Sequence, residues 1–138
     1  MIVHRGLCGC GKIEYVFEDD PINAAFCYCH ECQIHTGSDK WFGLWVPAEK
    51  FNFTKGTPSN FTRLGDSGKE MNHKFCAICA TTLCIEVTVG GFYSVSASTL
   101  SKNNFFPKMA IYTASAPEWA VFPPGVPKFD VLPPEMSR

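Results

Sequence analysis

Phe26-Cys27-Tyr28-Cys29-His30-Glu31-Cys32-Gln33 decides how this chain is read. It sets three thiols within six residues, spaced Cys-x-Cys-x-x-Cys. Sulfurs this close can reach one tetrahedral ion, with Zn–S bonds of roughly 2.3 Å, and they leave one corner unfilled. Four closed cysteine ligands make a structural staple, whereas three protein ligands and an open position are how zinc catalysis is arranged. His30, His35, His73 or Cys84 could close the corner. His30 stands awkwardly between two ligands, and the open site is the favoured reading.

Working outward, Leu7-Cys8-Gly9-Cys10-Gly11 and Phe75-Cys76-Ala77-Ile78-Cys79 are two further short thiol pairs, far apart in the chain. Each is half of a tetrahedral set, and together Cys8, Cys10, Cys76 and Cys79 supply all four ligands of a cross-chain zinc staple. Eight cysteines in a secreted protein would suggest disulfides. The first residues contain no apolar run of signal-peptide length, so a reducing, cytoplasmic setting and metal are expected instead. Two zinc ions follow, with Cys84 spare.

The chain has 138 residues, 46% of them hydrophobic, with twelve phenylalanines. That is enough for one domain, 1–138, with an aromatic core. Formal net charge is −1 without charge runs, which excludes a basic nucleic-acid face. The most apolar window, Trp41 to Val46, is too short to span a bilayer.

Alternating patterns over Lys12–Phe17, Trp41–Val46, Phe51–Thr54, Asn60–Leu64, Leu83–Thr88 and Phe92–Ala97 predict strands. Pro47–Lys50 suits one helical turn, and Gly90-Gly91 a hairpin turn. Gln33 to Lys40 reads as a polar loop. No segment holds ten residues at helical spacing, so the fold class is all-β. Leu83, Ile85 and Val87 are expected on one face, with Cys84 on the other. From Pro107 the chain carries seven of its ten prolines. Residues 107–138 therefore read as an extended tail, with a short strand near Met109–Tyr112, packed on the domain through Trp119, Phe122 and Phe129.

Around the three-cysteine cluster, His30, His35 and Glu31 are candidate proton carriers. Trp41 and Trp45 read as core. An anionic ligand needs cationic partners, and Lys40 and Arg63 are available for that role.

The arrangement Gly6-Leu7-Cys8-Gly9-Cys10-Gly11, then Cys27-x-Cys29-x-x-Cys32-Gln33 with Thr36-Gly37-Ser38, then Phe75-Cys76-x-x-Cys79-x-Thr81 resembles the glutathione-dependent formaldehyde-activating enzyme (GFA) family, which includes centromere protein V. The resemblance runs into the tail, through Ile111-Tyr112, Trp119 and Gly125-x-Pro127. It implies a β-tent (Mss4-like) fold of small antiparallel sheets stapled by zinc, with the Cys8/Cys10/Cys76/Cys79 site structural. It implies that Cys27, Cys29 and Cys32 serve glutathione chemistry, with His30 and His35 as catalytic neighbours and Gln33, Lys40 and Arg63 toward the co-substrate. The implied activity is that of a zinc-dependent carbon–sulfur lyase or synthase acting on a glutathione–aldehyde adduct. The alternative is a non-catalytic zinc-stapled binding module. Partners are then a small thiol and an aldehyde, without nucleic acid or membrane, and a homodimer is compatible. Where the family carries glycine after the last knuckle cysteine, this chain has Ala80, a position expected to tolerate a Cβ.

Overall fold

The structure, a computed structural model, describes residues 2–136. Ten strands form two sheets: β1 (Val3–Leu7), β2 (Glu14–Glu18), β3 (Asn23–Cys27), β4 (Trp41–Pro47), β5 (Phe51–Lys55), β6 (Ser59–Leu64), β7 (Glu70–Phe75), β8 (Thr82–Val87), β9 (Phe92–Ser96) and β10 (Met109–Ile111). The smaller sheet runs β1-β2-β5 and the larger β10-β3-β4-β9-β8-β7-β6. All pairs are antiparallel except β10 on β3. This is an all-β, β-tent architecture. The sequence pattern places β2, β4, β5, β6, β8, β9 and β10 close to where the structure has them but marks no strand at β1, β3 or β7. The turn at Ala48–Lys50 is a 3-10 turn that carries the chain from one sheet to the other.

One departure matters most. His30–Thr36 is an α-helix, α1, inside a stretch read as part metal knuckle and part loop. Seven residues are too few to show a helical period. The stop signal is nevertheless present, since Gly37 takes a left-handed φ of 68° and returns its N–H to the Gln33 carbonyl at 2.9 Å.

The main core lies between the sheets. Ile13, Tyr15 and Phe17 all point inward from the β2 segment and are buried. They meet Leu44, Val46, Val95 and Cys84 from the larger sheet. Phe51 bridges the layers, stacked on Tyr15 at 5.2 Å and on Tyr93 at 4.6 Å between ring centroids. Gly6 is required where it stands, because a Cβ there would overlap the Tyr15 ring. Truncating a ring this buried, as in Phe17→Ala, costs about 3–5 kcal/mol.

The expected parity of β8 fails at one point. Its register against β7 shifts between Lys74↔Cys84 and Phe75↔Thr82, leaving Leu83 as an extra residue. A bulge of this kind resets which side the chain faces. Leu83 therefore joins Cys84 in the main core, while Ile85 and Val87 turn to the opposite face of the sheet.

That opposite face is concave. Glu31 on α1 follows β3, and Arg63 lies on β6, five strand steps away in the sheet order. At roughly 4.8 Å per step a flat sheet would separate them by about 24 Å. Their side chains instead come within 3.6 Å. The sheet curls, as twisted sheets do, and its far edge returns over the helix.

In the tail, β10 extends the large sheet and the chain doubles back on it: Phe129 N–H donates to Ala110 O at 2.9 Å and Tyr112 N–H to Val131 O at 2.7 Å. Phe122 packs on Tyr28. Trp119, expected to be packed, is 69% exposed.

Candidate metal and active site

The first thiol group joins the two sheets. Cys8 and Cys10 follow β1, and Cys76 and Cys79 follow β7. All four sulfurs lie within 4.8 Å of one another. Cys8–Cys10 is 3.6 Å and Cys10–Cys76 is 3.7 Å. A tetrahedron with Zn–S near 2.3 Å has edges of about 3.8 Å, so these separations fit zinc nearly as they stand. Backbone supports the set: Ile13 N–H donates to the Cys8 sulfur at 3.3 Å. Thr81 Oγ1 accepts from Gly9 N–H at 3.0 Å and touches the Cys79 sulfur at 3.2 Å. The Thr81 hydroxyl and backbone N–H hold the Cys79 thiol down to about 5, favouring the thiolate a metal needs.

The second group is Cys27, Cys29 and Cys32, also within 4.8 Å. Cys27 ends β3, Cys29 caps α1, and Cys32 lies in the helix's first turn. The cap is a sulfur: Cys32 N–H donates to Cys29 Sγ at 3.2 Å. The Cys29–Cys32 sulfur distance is 3.0 Å, so this pair must spread by nearly 1 Å to form a tetrahedral edge. Hydrogen bonds from the Cys27 and Cys32 thiols, then the Cys32 backbone N–H and the Arg63 charge, hold Cys29 down to about 3 against burial. The same contacts push Cys27 up to about 12 and raise Cys32, so the first negative charge settles on Cys29. Among the described residues no histidine, carboxylate or further cysteine joins this group as a fourth ligand. Cys84 is fully buried in the main core and belongs to neither set.

The three cysteines stand in the wall of a cleft of about 780 Å³ on the concave face of the large sheet. Trp41 and Ile85 form a small buried cluster with Cys32, against which Cys27, Cys29, Met71 and Val87 pack. Both tryptophans read as core line this cleft. Trp41 is fixed by donating its indole N–H to Ser94 Oγ at 3.0 Å. Trp45 stacks on Phe92 at 4.5 Å and 16°. Strand parity explains their placement: residues 42, 44 and 46 of β4 face the main core, so 41, 43 and 45 face the cleft. Gly43 has no room for a side chain, since its Cβ would lie 2.7 Å from the Trp41 nitrogen. Across the opening, Tyr112 donates to Asp66 at 2.8 Å, tying the tail to the β6–β7 turn.

The expected site residues separate into two groups. His30 and Arg63 line the cleft beside the three cysteines, as does Glu31. His35 lies a turn along the helix, its ring 4.3 Å from that of His73 and its Nε2 3.8 Å from Glu31. Gln33 is outside the cleft, where its amide donates to Tyr28 O and Ser115 O at 3.0 Å each and so fastens the tail. Lys40 is also outside, paired with Asp39 at 3.0 Å and set over the Phe26 and Tyr28 rings.

His73 had no sequence signal as anything but a possible ligand, and its role is different. It is buried, and its Nε2 accepts from Arg63 Nε at 3.0 Å. Burial first, then the neighbouring His35 and Arg63, lower its pKa to about 4, so the ring is neutral and holds the guanidinium as an acceptor.

A family model described as glutathione-dependent formaldehyde-activating enzyme matches residues 3–115. The chain belongs to this family. A crystal structure of a Rhodobacter sphaeroides protein superimposes with a TM-score of 0.57 at 18% identity, covering 75% of this chain and 91% of that one. That likeness supports the fold. No curated protein matches the chain. Zinc-binding, glutathione-related chemistry is therefore the family setting of these thiol groups. Among the described residues no helix is long and apolar enough to cross a membrane.

Proposed function

We propose that this GFA-family chain makes and breaks the carbon–sulfur bond of a glutathione–aldehyde adduct of the S-hydroxymethylglutathione type. The observation that carries this is the three-thiol group of Cys27, Cys29 and Cys32 in the wall of a large cleft, with no fourth protein ligand among the described residues. The Cys8/Cys10/Cys76/Cys79 group, closed and placed between the sheets, serves as the staple.

Cys27, Cys29 and Cys32 would hold a zinc ion, which would supply Lewis acidity toward a substrate sulfur. The chain's own residues do the rest. In the cleavage direction the adduct R–S–CH(OH)–R′ loses its hydroxyl proton to His30 or, through it, to solvent. The freed O–H electrons form the C=O bond as the C–S pair departs with sulfur, giving thiolate and aldehyde. In the synthetic direction the thiolate attacks the carbonyl carbon and the alkoxide regains the proton. No electrons are exchanged with an outside oxidant. Arg63, positioned by His73 and facing Glu31 at 3.6 Å, offers positive charge to a carboxylate of the thiol.

Cobalt-substituted protein titrated with glutathione tests this reading. Thiol entry into an open coordination position changes the visible ligand-field bands in proportion to one of the two cobalt ions. Bands that stay unchanged up to millimolar glutathione mean both sites are closed, and the binding-module alternative then holds.

A further inference from the structure

We infer that the adduct this cleft takes carries a bulky apolar, ring-bearing group on the aldehyde-derived carbon, in place of the bare carbon of formaldehyde. This rests on the reading of the three-cysteine site given above and names its electrophile. The space itself is the first observation. A cleft of about 780 Å³ lies within the range of drug-sized ligand sites, so the space around the three cysteines is not limited to a single carbon beyond the substrate sulfur.

The walls are the second. Trp41 and Ile85 form one buried cluster with Cys32, and Met71 and Val87 pack against that cluster, so the carbon bonded to a substrate sulfur would lie against apolar surface. Beyond them the Trp45–Phe92 stack continues the same face. These groups occupy the second face of a paired sheet, and Trp41 is locked by Ser94, so the surface is preformed and does not depend on closure about the ligand.

The charge inventory is the third. Among the described lining residues Arg63 is the one permanent cation, against the acids Glu31, Asp66 and Glu135. Glutathione brings two carboxylates and one ammonium. This lining can meet one carboxylate at Arg63, so the polar peptide is directed toward the acidic rim and solvent. The apolar depth is left to the other half of the adduct. Aromatic walls suit a ring in particular, through offset stacking.

The test is calorimetric titration of zinc-loaded full-length protein with S-methylglutathione and S-benzylglutathione, which differ only in the group placed beyond sulfur. A ring buries on the order of 100 Å² more apolar surface, which at about 25 cal/mol per Å² predicts the benzyl compound to bind tighter by tenfold or more. Val87→Asn and Trp45→Ala, each checked for an unchanged zinc content and a cooperative melt, should shrink that ratio to threefold or less. Equal affinity of the two compounds overturns the inference and leaves the proposed function standing. Binding of neither compound overturns both. A ratio that survives both substitutions places the ring elsewhere and also overturns it.

Discussion

Ala80 closes the second knuckle of the staple with a φ of 66°, in the left-handed region, while its N–H donates to Cys76 O at 2.8 Å. The side chain is exposed and buries almost nothing. The expectation that this position tolerates a Cβ is therefore true only at a cost. A non-glycine residue in this conformation is disfavoured by about 1–2 kcal/mol. Glycine relieves that strain but loses about 0.4–1 kcal/mol more backbone entropy on folding. Ala80→Gly should thus stabilise the protein by about 0.5–1 kcal/mol. Unfolding entropy near 2.1 cal/mol/K per residue over 138 residues makes 1 kcal/mol worth roughly 3 °C. The expected Tm rise is about 2–3 °C on zinc-loaded protein, with two zinc ions retained. Ala80→Val should move the other way, because a β-branched side chain fits the left-handed region worse than alanine. An Ala80→Gly melt at or below that of the parent would refute the argument, since no buried contact is available to mask the gain.

The two thiol groups should fail differently: Cys10→Ser breaks a staple between sheets and should be insoluble or unfolded. Cys29→Ser should fold with about one zinc and no glutathione binding, since structural zinc is worth on the order of 10 kcal/mol and the second site spans only six residues. Cys84→Ser should keep both zinc ions by elemental analysis yet lose about 1–3 kcal/mol in urea unfolding, because it buries a hydroxyl among apolar neighbours. His73, with its pKa lowered to about 4 from an ordinary 6.5, binds fewer protons folded than unfolded between those values. Its contribution is therefore full above pH 6.5 and is lost as pH falls toward 4. His73→Gln keeps an acceptor for Arg63 without the titration, so the stability gap between the parent and this variant should narrow with acid. A gap independent of pH would contradict the neutral-imidazole assignment.

Much of the fold was legible because it rests on short-range pattern. Alternation at Ile13, Tyr15 and Phe17 and the thiol spacings at 8/10, 27/29/32 and 76/79 are local signals, and most of the strands and both sulfur groups follow from them, while β1, β3 and β7 emerge only in the structure. Three things were not local. The helix at His30–Thr36 is too short for a period and is capped by a cysteine sulfur, an unusual cap that thiol spacing alone suggests only as a knuckle. The bulge at Leu83 exists only relative to β7. Trp41 and Trp45 read as core because rings on a strand look alike whichever face of the sheet they occupy, and Trp41 is indeed buried, in the small cluster with Cys32 and Ile85 at the cleft wall. Arg63 was legible only as an available cation and His73 only as a possible metal ligand, with nothing in the sequence to pair them. Only the curl of the sheet makes them part of the site.

That curl gives the staple a second consequence. Cys76 directly follows β7, and His73 and Met71 lie three and five residues earlier, on that strand. Arg63 is the register partner of Met71 on β6, the last strand of the sheet. This edge is held over α1 by a few side-chain contacts: Arg63 with Glu31, the rings of Phe61 and His73 against His35, and Tyr112 with Asp66. Each is half-exposed or neutral, and worth about 1 kcal/mol or less apiece. Such contacts select a position for an edge that its pairing with β8 already ties to the rest of the sheet. A metal ion held by the two cysteines that follow β1 and the two that follow β7 would tie that edge to the small sheet. Such a staple would set the distance between Arg63 and the three-cysteine group as well as the stability of the core. Weakening it with a single ligand change short of unfolding should move the guanidinium away before the thiols at 27, 29 and 32 lose their own ion.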